Sequence, residues 1–518
     1  MRQDYPGPDG RGPGLRVLLI NPALSVSEKD FWGDMAYPPP LGLAYLAGAV
    51  SRAGHEVEII DCLGLYPIPV EHNEGRVRIG MRADDILARA SEFKPDITGI
   101  ACGYTAHAPD SIGVAVKIKE CLGSGHPVIM GGAHATTCPE DVFSSGVVDY
   151  IAMGEGEGIL TDLCGSLERG EPTGPIEGLL AMSPDGTVTG IRQRARIQDL
   201  DSLALPRRDL LPMDVYFKYQ TLRKDRINFM RRPQTTMITS RGCPEKCVFC
   251  ALRCTWGRKW VPRSAESVVD EVQMLVDDYG VREIHFMDDS ISVHRERLKR
   301  ICELIIERKI DFRWQPASGI AIWTLDAELL KLMKKSGCYR LTLGVESGNA
   351  ETLAFIRKRY THEHALEIIK EANRLGMWTI GTFILGFPYE TREQMEDSVR
   401  FSIDSGLDFA FFYCAAPFPG TDLFDIYVKE GIEVPPETTV AFGLVDSLTM
   451  EACEIEAARE DATARFMRNI SHRPWKMLGK IRSLEDAGYV LKVASYGLKL
   501  ARTRTEDKSI SAYLYGDD

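Results

Sequence analysis

The sequence contains no apolar run approaching the roughly 18 to 20 residues that a membrane-spanning helix needs. Its first residues, MRQDYPGPDGRGPG, lack an apolar core, which excludes a signal peptide and predicts a flexible tail over residues 1–14. There is no excess of positive charge; the formal net charge of −12 argues against general binding of nucleic acid. No G-x-G-x-x-G follows the first strand-like run, LRVLLINP, so a dinucleotide is disfavoured there. Neither a helix-turn-helix nor a signalling module is visible. Cysteine is not scarce. Thirteen cysteines without a secretory signal point to a reducing cytoplasm, where thiols stay free or bind metal. At 518 residues, 44% hydrophobic and 26% charged, the chain reads as folded and divided into two or three domains.

The N-terminal part alternates short apolar runs with helical stretches. LRVLLINP, HEVEIIDC, DITGIACGYT, HPVIMGGAHAT and VDYIAMGEGE read as strands. PPPLGLAYLAGAVSRAG, ADDILARASEFKP and SIGVAVKIKECLG read as the helices between them. This alternation predicts a doubly wound parallel sheet over residues 15–165. Ligands of such sheets sit at the carboxyl ends of the strands. Those ends carry Asn21, then Gly103, Tyr104 and Thr105, then Gly131, Gly132 and His134, then Gly154 and Glu155. Residues 166–225 read as a linker, with a hairpin around SPDGTV and Pro206 interrupting any helix.

A second series begins near residue 226. The strand TTMITS leads into SRGCPEKCVFCALRCT, which holds four cysteines in twelve positions, three of them spaced C-x3-C-x2-C. Ser264 caps the following helix and Gly280 stops it. Five further strands, each preceded by a helix, run to about residue 440. Six units predict an open, partial (β/α) barrel, whose chemistry gathers where strands end. The cysteine loop, Asp288 and Asp289, Glu346 and Ser347, GFP and PFPGT all fall on that rim.

Three thiolates at Cys243, Cys247 and Cys250 would leave one iron of a [4Fe-4S] cluster open to a substrate. Cys254 offers a fourth thiolate, which would close the ligation or make a tetrahedral zinc site. The spacing is unlike paired C-x2-C knuckles, and Cys254 reads as an incidental thiol.

CPEKCVFC after a first barrel strand, MDDS after the second and GVESG after the fourth resemble the radical S-adenosylmethionine superfamily. The parallel α/β domain in front, with PPPLGLAYLAG after its first strand, resembles the cobalamin-binding domain of one large class of it. That class includes anaerobic magnesium-protoporphyrin ester cyclases, hopanoid-modifying enzymes and antibiotic C-methyltransferases. The resemblance implies that Cys243, Cys247 and Cys250 ligate the cluster and that Phe249 lies by the adenine. It implies Asp288 or Asp289 at the ammonium of S-adenosylmethionine, and Glu346 with Ser347 at its ribose or methionine part. The strand-end residues of the first domain would hold cobalamin. Cobalamin domains that ligate cobalt through imidazole carry D-x-H-x-x-G after the first strand; here there is no histidine between Leu15 and Gly54. The implied lower face of cobalt therefore lacks a histidine from that loop, and His134 reads as lining the nucleotide-tail pocket.

The implied chemistry is reductive cleavage of S-adenosylmethionine, hydrogen abstraction from an unactivated carbon of a small molecule, and methyl transfer from cobalamin. An external one-electron donor such as flavodoxin or ferredoxin is needed. Cyclisation or ring rearrangement on a lipid or tetrapyrrole is the alternative, and a non-catalytic cobalamin or iron–sulfur sensor a remoter one. Residues 441–518 read as a helical, basic region. Between Arg465 and Arg504 stand ten Lys or Arg and two acids, with Tyr489, Val493, Tyr496 and Leu500 at helical spacing. This region reads as a cap with its stripe on the barrel and its charges in water, or as a peripheral surface for anionic lipid or an amphiphilic substrate.

Overall fold

The computed structural model describes residues 14–27, 38–65, 69–73, 76–183, 185–222, 229–435, 438, 443 and 445–503. The expected N-terminal tail lies outside them. The chain divides into two units: the described residues up to 222 together with 499–503 form one, and those from 229 to 498 the other.

The first unit is built on a seven-stranded sheet. Five strands, β1 (Arg16–Asn21), β2 (Glu56–Asp61), β3 (Ile97–Ala101), β4 (Val128–Gly131) and β5 (Tyr150–Ala152), run parallel in the spatial order β2-β1-β3-β4-β5. Val17 to Ile20 are fully buried, because helices cover both faces, and the strand reads as an unbroken apolar run. The strand order reverses between β1 and β3, which opens a crevice at their carboxyl ends. Two features depart from the sequence reading. The hairpin within the supposed linker joins the same sheet as antiparallel β6 (Leu179–Met182) and β7 (Val188–Gly190). A small antiparallel sheet of Leu24–Ser27, Pro69–Asn73 and Arg76–Ile79 was not anticipated.

The second unit holds six parallel strands in chain order. They are β8 (Gln234–Met237), β9 (Glu283–Phe286), β10 (Arg313–Pro316), β11 (Arg340–Glu346), β12 (Trp378–Leu385) and β13 (Phe409–Cys414). The first three and the last three form continuous ladders, and the bridges Trp314–Cys338 and Ile320–Leu343 link the two. Helices follow each strand; Ser264 caps Ala265–Asp277 through the Ser267 amide, as expected.

Side chains alternate along these strands, and the aromatic contacts tell the two faces apart. Phe383 stacks on Phe412 and meets Phe401 of the helix Arg392–Asp404, so that face lies under the helices. The opposite face, with Thr342, Thr382, Ile380, Ile384, Phe411 and Tyr413, looks into the lumen. Phe411 is half exposed there.

The C-terminal helices Ala452–Ser471, Pro474–Leu478 and Leu484–Thr503 confirm a helical region. Tyr489, Val490 and Val493 pack on Tyr339 and Trp378, which begin or precede barrel strands, so these helices close the amino-terminal end of the barrel. Tyr489 and Val493 sit as the stripe predicted; the side chains of Tyr496 and Leu500 lie outside the described residues. The expected placement of all the basic residues in water is corrected. Lys480 is buried, 2.6 Å from Asp408, and Lys476 lies 3.2 Å from the same carboxylate. Burial pulls the Lys480 ammonium down to about 8 against the opposing pull of Asp408. The basic run has turned inward to satisfy the ends of barrel strands.

Candidate active site

The cysteine loop leaves the barrel through Thr239–Arg241. Ser240 and Arg241 pair antiparallel with Pro262 and Val261, and Gly242 adopts φ +83°, a left-handed turn suited to glycine. The two aspartates after β9 then divide their work. Asp288 points to the helix side and is buried. It accepts from the Thr239 amide (3.1 Å), the Thr239 hydroxyl (2.7 Å) and the Ser240 hydroxyl (2.5 Å). Burial raises its carboxyl, and these hydrogen bonds and Arg297 oppose the shift. Asp289 falls on the lumen side and accepts from the Gly242 amide at 2.8 Å. Asp288 therefore braces the loop, which does not fit the expectation that it meets S-adenosylmethionine.

Cys243, Cys247 and Cys250 are half-buried on one loop. Burial pushes the Cys243 thiol up to about 12 and Cys250 to about 11, and also raises Cys247. Left alone, such thiols stay protonated; a bound metal would hold them as thiolates. Among the described residues no three ligands converge on a single ion position. A cluster of several irons, spread across three separate thiolates, makes no such demand. Cys254 turns away, its thiol donating to the Gly420 carbonyl at 3.2 Å.

Glu346 ends β11 with φ +63°, a strained conformation for a residue other than glycine and one that concentrates at functional sites. Its carboxylate lies 3.0 Å from Lys358 Nζ and 3.4 Å from the Thr382 hydroxyl. Ser347 is fully buried among Ser398 and the Asn349 amide, so its hydroxyl serves the fold and not the lumen as expected. Phe249 packs against Phe387 of the GFP turn, with centroids 6.1 Å apart, and lies under Lys358. The rim loop of β13 returns to the cysteine loop. Arg253 donates to the Gly420 carbonyl at 2.7 and 2.9 Å and pairs with Asp422, and the Leu423 amide donates to Val248.

In the first unit, the ends of β3, β4 and β5 come together. Gly132 has φ +121°, and a Cβ there would fall 2.6 Å from the Cys102 carbonyl. His134 is buried and uses both ring nitrogens, on Thr105 (3.1 Å) and Asp141 (3.0 Å). Gly154 donates to Thr136, while a Cβ on Gly103 would meet open space. Gly131 sits beside Ala152 on the next strand. Glu155 accepts from the Ile197 amide. Asn21 donates to Asp61, itself buried and held by Tyr216, so that amide is committed to the neighbouring strand. Tyr104 is 74% exposed, edge-on to His107, whose buried Nδ1 has no hydrogen-bond partner. The open floor at Gly103, the close approach at Gly132 and the orphaned His107 nitrogen fit a large ligand laid over this rim.

Sequence reasoning missed Lys358, Thr239, Ser240 and the Arg253–Asp422 clasp. Lys358 stands within IRKRY, which reads as a solvated basic run. Its only signal is its place one short helix after GVESG.

A partial barrel with a three-cysteine loop on its carboxyl rim, preceded by a 2-1-3-4-5 parallel sheet, defines the class. Residues 237–402 match the model of the radical SAM superfamily and residues 36–164 that of the B12 binding domain. A Pyrococcus horikoshii protein described as an uncharacterised methyltransferase is 33% identical over 81% of this chain and 84% of its own. The cytidylyl-2-hydroxyethylphosphonate methyltransferase of Streptomyces wedmorensis is 30% identical over 82% and 83%. The anaerobic magnesium-protoporphyrin IX monomethyl ester cyclase of Rubrivivax gelatinosus is 26% identical over 79% and 69%. Among solved structures, the radical S-adenosylmethionine methyltransferase TsrM of Kitasatospora setae superposes with TM-score 0.65 at 19% identity, covering 86% of this chain and 83% of its own. The chain belongs to the cobalamin-dependent radical SAM family, and within it to the methyltransferases. A [4Fe-4S] cluster, S-adenosylmethionine and cobalamin are its cofactors.

Proposed function

We propose that this enzyme methylates an unactivated carbon of a small molecule whose apolar face rests against Phe411 and Tyr413 in the barrel lumen. One observation carries the reading: the cysteine loop, Asp289 and the Glu346–Lys358 pair share one rim above lumen walls rich in aromatic and aliphatic side chains. In this reading Cys243, Cys247 and Cys250 hold the cluster, and Phe249 lies along the adenine. Asp289 and Glu346 orient S-adenosylmethionine, while Asp288 and Ser347 hold the loops that carry those residues. Residues 15–165 with the added hairpin 179–190 house cobalamin on the rim formed by Gly103–Thr105, Gly131–His134 and Gly154. The bound groups supply a one-electron cleavage and a transferable methyl; the chain's part is to bind, to orient and to keep water from the lumen.

The enzyme works in the cytoplasm and takes its electron from a flavodoxin- or ferredoxin-type donor. The C-terminal helices serve to close the barrel, since Lys476 and Lys480 are spent on Asp408. The test is stoichiometry with S-adenosylmethionine labelled in its methyl group. Methyl transfer releases S-adenosylhomocysteine and 5′-deoxyadenosine in about equal amounts and moves label into product. Deoxyadenosine formed without homocysteine product or transferred label would establish the cyclase or ring-rearranging reaction instead.

A further inference from the structure

We infer that Lys358 sets the reduction potential of the iron–sulfur cluster, acting as a fixed positive charge beside it. The inference rests on the reading that Cys243, Cys247 and Cys250 hold that cluster. The chain turns sharply at Arg357, with φ +63°, directly after the helix Ala350–Phe355, and this turn sends the next side chain back over the end of β11. Two elements, β11 and the cysteine loop, then fix the ammonium. Glu346 on β11 lies 3.0 Å from it, the ring centroid of Phe249 in the cysteine loop is 5.8 Å away, and a Cβ on Gly344 would fall 3.3 Å from Nζ. The Lys358 side chain is only 17% exposed, so solvent and salt screen its charge weakly.

The charge is placed where it counts. The ring over which the ammonium sits, Phe249, stands between Cys247 and Cys250 in the chain. Burial opposes the ammonium itself, but the Glu346 carboxylate at 3.0 Å outweighs that and keeps it protonated above the ordinary lysine range. The carboxylates nearby are differently disposed. Glu245 has its own cation in Arg359, at 3.6 Å, and Asp289 is turned to the Gly242 amide. Reduction adds one negative charge to a cluster already carrying thiolates. A weakly solvated cation beside the loop that carries the cluster stabilises the reduced form more than the oxidised one, because the attraction acts largely through protein and not through water. The electron comes from the external one-electron donor; Lys358 gives and takes nothing and keeps its three protons throughout. The same side chain thus links the loop that binds the cluster to the Glu346 that orients the cosubstrate.

The test compares Lys358→Met, which keeps length and loses charge, with Lys358→Arg, which keeps charge. Each is reconstituted anaerobically and assayed for iron per chain. Each is then titrated reductively with dithionite and mediators, without substrate, following the reduced-cluster electron paramagnetic resonance signal. The Met variant is expected to bind iron as the parent does and to reduce at a more negative potential, with the Arg variant returning most of the shift. Glu346→Gln, which frees the lysine of its counter-charge, is expected to shift the potential the opposite way. An unchanged potential in a fully iron-loaded Met variant overturns the inference. So does a Glu346→Gln shift to a more negative potential, should the Met variant lose its iron. A parent protein that binds no iron overturns the cluster assignment itself, which is a separate and recognisable failure.

Discussion

Asp288 and Asp289 are neighbours in the chain and face opposite sides of the barrel wall. Strand alternation sends Asp288 under the helices to the Thr239 and Ser240 hydroxyls, and Asp289 to the rim, at the Gly242 amide. Substitution separates the two roles. Asp288→Asn leaves a donor facing donors, which costs about 1–3 kcal/mol of stability and loosens the cysteine loop. Its thermal midpoint and iron retention should both fall. Asp289→Asn should fold and hold iron as the parent does, while affinity for S-adenosylmethionine drops roughly 10- to 100-fold through loss of a charge-assisted hydrogen bond. Equilibrium binding and thermal unfolding on both variants decide the point. The division fails if Asp289→Asn is the less stable protein.

The three loop cysteines and Cys254 differ in orientation, and so should their variants. Alanine at Cys243, Cys247 or Cys250 is expected to abolish the brown colour and the formation of 5′-deoxyadenosine. Alanine at Cys254 removes only the contact with the Gly420 carbonyl and should keep both. Iron loss from Cys254→Ala with retention in any of the others would show that the ligand set is wrong.

How cobalt is faced from below follows from the fate of the histidines. His134 has both ring nitrogens engaged by Thr105 and Asp141, so it is not available as a ligand. Bound cob(II)alamin should accordingly show no nitrogen superhyperfine splitting in its electron paramagnetic resonance spectrum. A three-line splitting would point to His107, whose Nδ1 has no hydrogen-bond partner, only if His107→Phe removes it; a splitting that survives comes from another nitrogen, such as cobalamin's own base.

Much of this was legible in the chain itself, for identifiable reasons. Parallel strands buried on both faces leave unbroken apolar runs such as LRVLLI, and the cysteine spacing places the loop at a strand end. What escaped is tertiary. Glu346 and Lys358 lie 3.0 Å apart but on different elements, and nothing in IRKRY distinguishes a buried lysine from a solvated one. The basic C-terminal run misled for the same reason. Lys476 and Lys480 satisfy carbonyls at Gly406, Leu407 and Met377 together with Asp408, partners supplied by barrel strands whose ends the sequence cannot bring near. The hairpin at 179–190 is legible in the sequence as a hairpin, but only the fold shows that its backbone completes the sheet edge.

The buried pair Lys480–Asp408 gives a fourth prediction. Removing Lys480 leaves the Asp408 carboxylate with Lys476, at 3.2 Å, so the cost falls below the roughly 3–5 kcal/mol of a fully orphaned buried charge. Lys480→Met should lower the urea midpoint of the barrel accordingly, and adding Asp408→Asn should recover most of the loss. Both variants should bind iron once folded, because the pair sits at the amino-terminal end of the strands, away from the cysteine rim. Equal stability of the single variant and the parent would show that the C-terminal helices do not seal the barrel.

Glu390 supplies the pH dependence. It follows the GFP turn, is buried, and accepts from the amides of Gly386 (2.8 Å) and Phe387 (3.3 Å). Burial raises its carboxyl from 4.5 to about 7, and the two amides only partly oppose this. The folded state therefore holds a proton that the unfolded chain releases near pH 4.5. The contribution to stability is fully present below that value, declines as pH rises from about 5 to 7, and is gone above it. The loss amounts to about 3 kcal/mol over the window. Glu390→Gln cannot ionise, so it should flatten that part of the stability profile while matching the parent at acid pH. Denaturant midpoints of both proteins, taken from pH 5 to pH 8, measure it. A parent profile that rises across the window once the other titrating carboxylates are common to both proteins would mean Glu390 is ionised in the fold. The GFP turn beside Phe249 would then be held by a charge and not by a neutral acid.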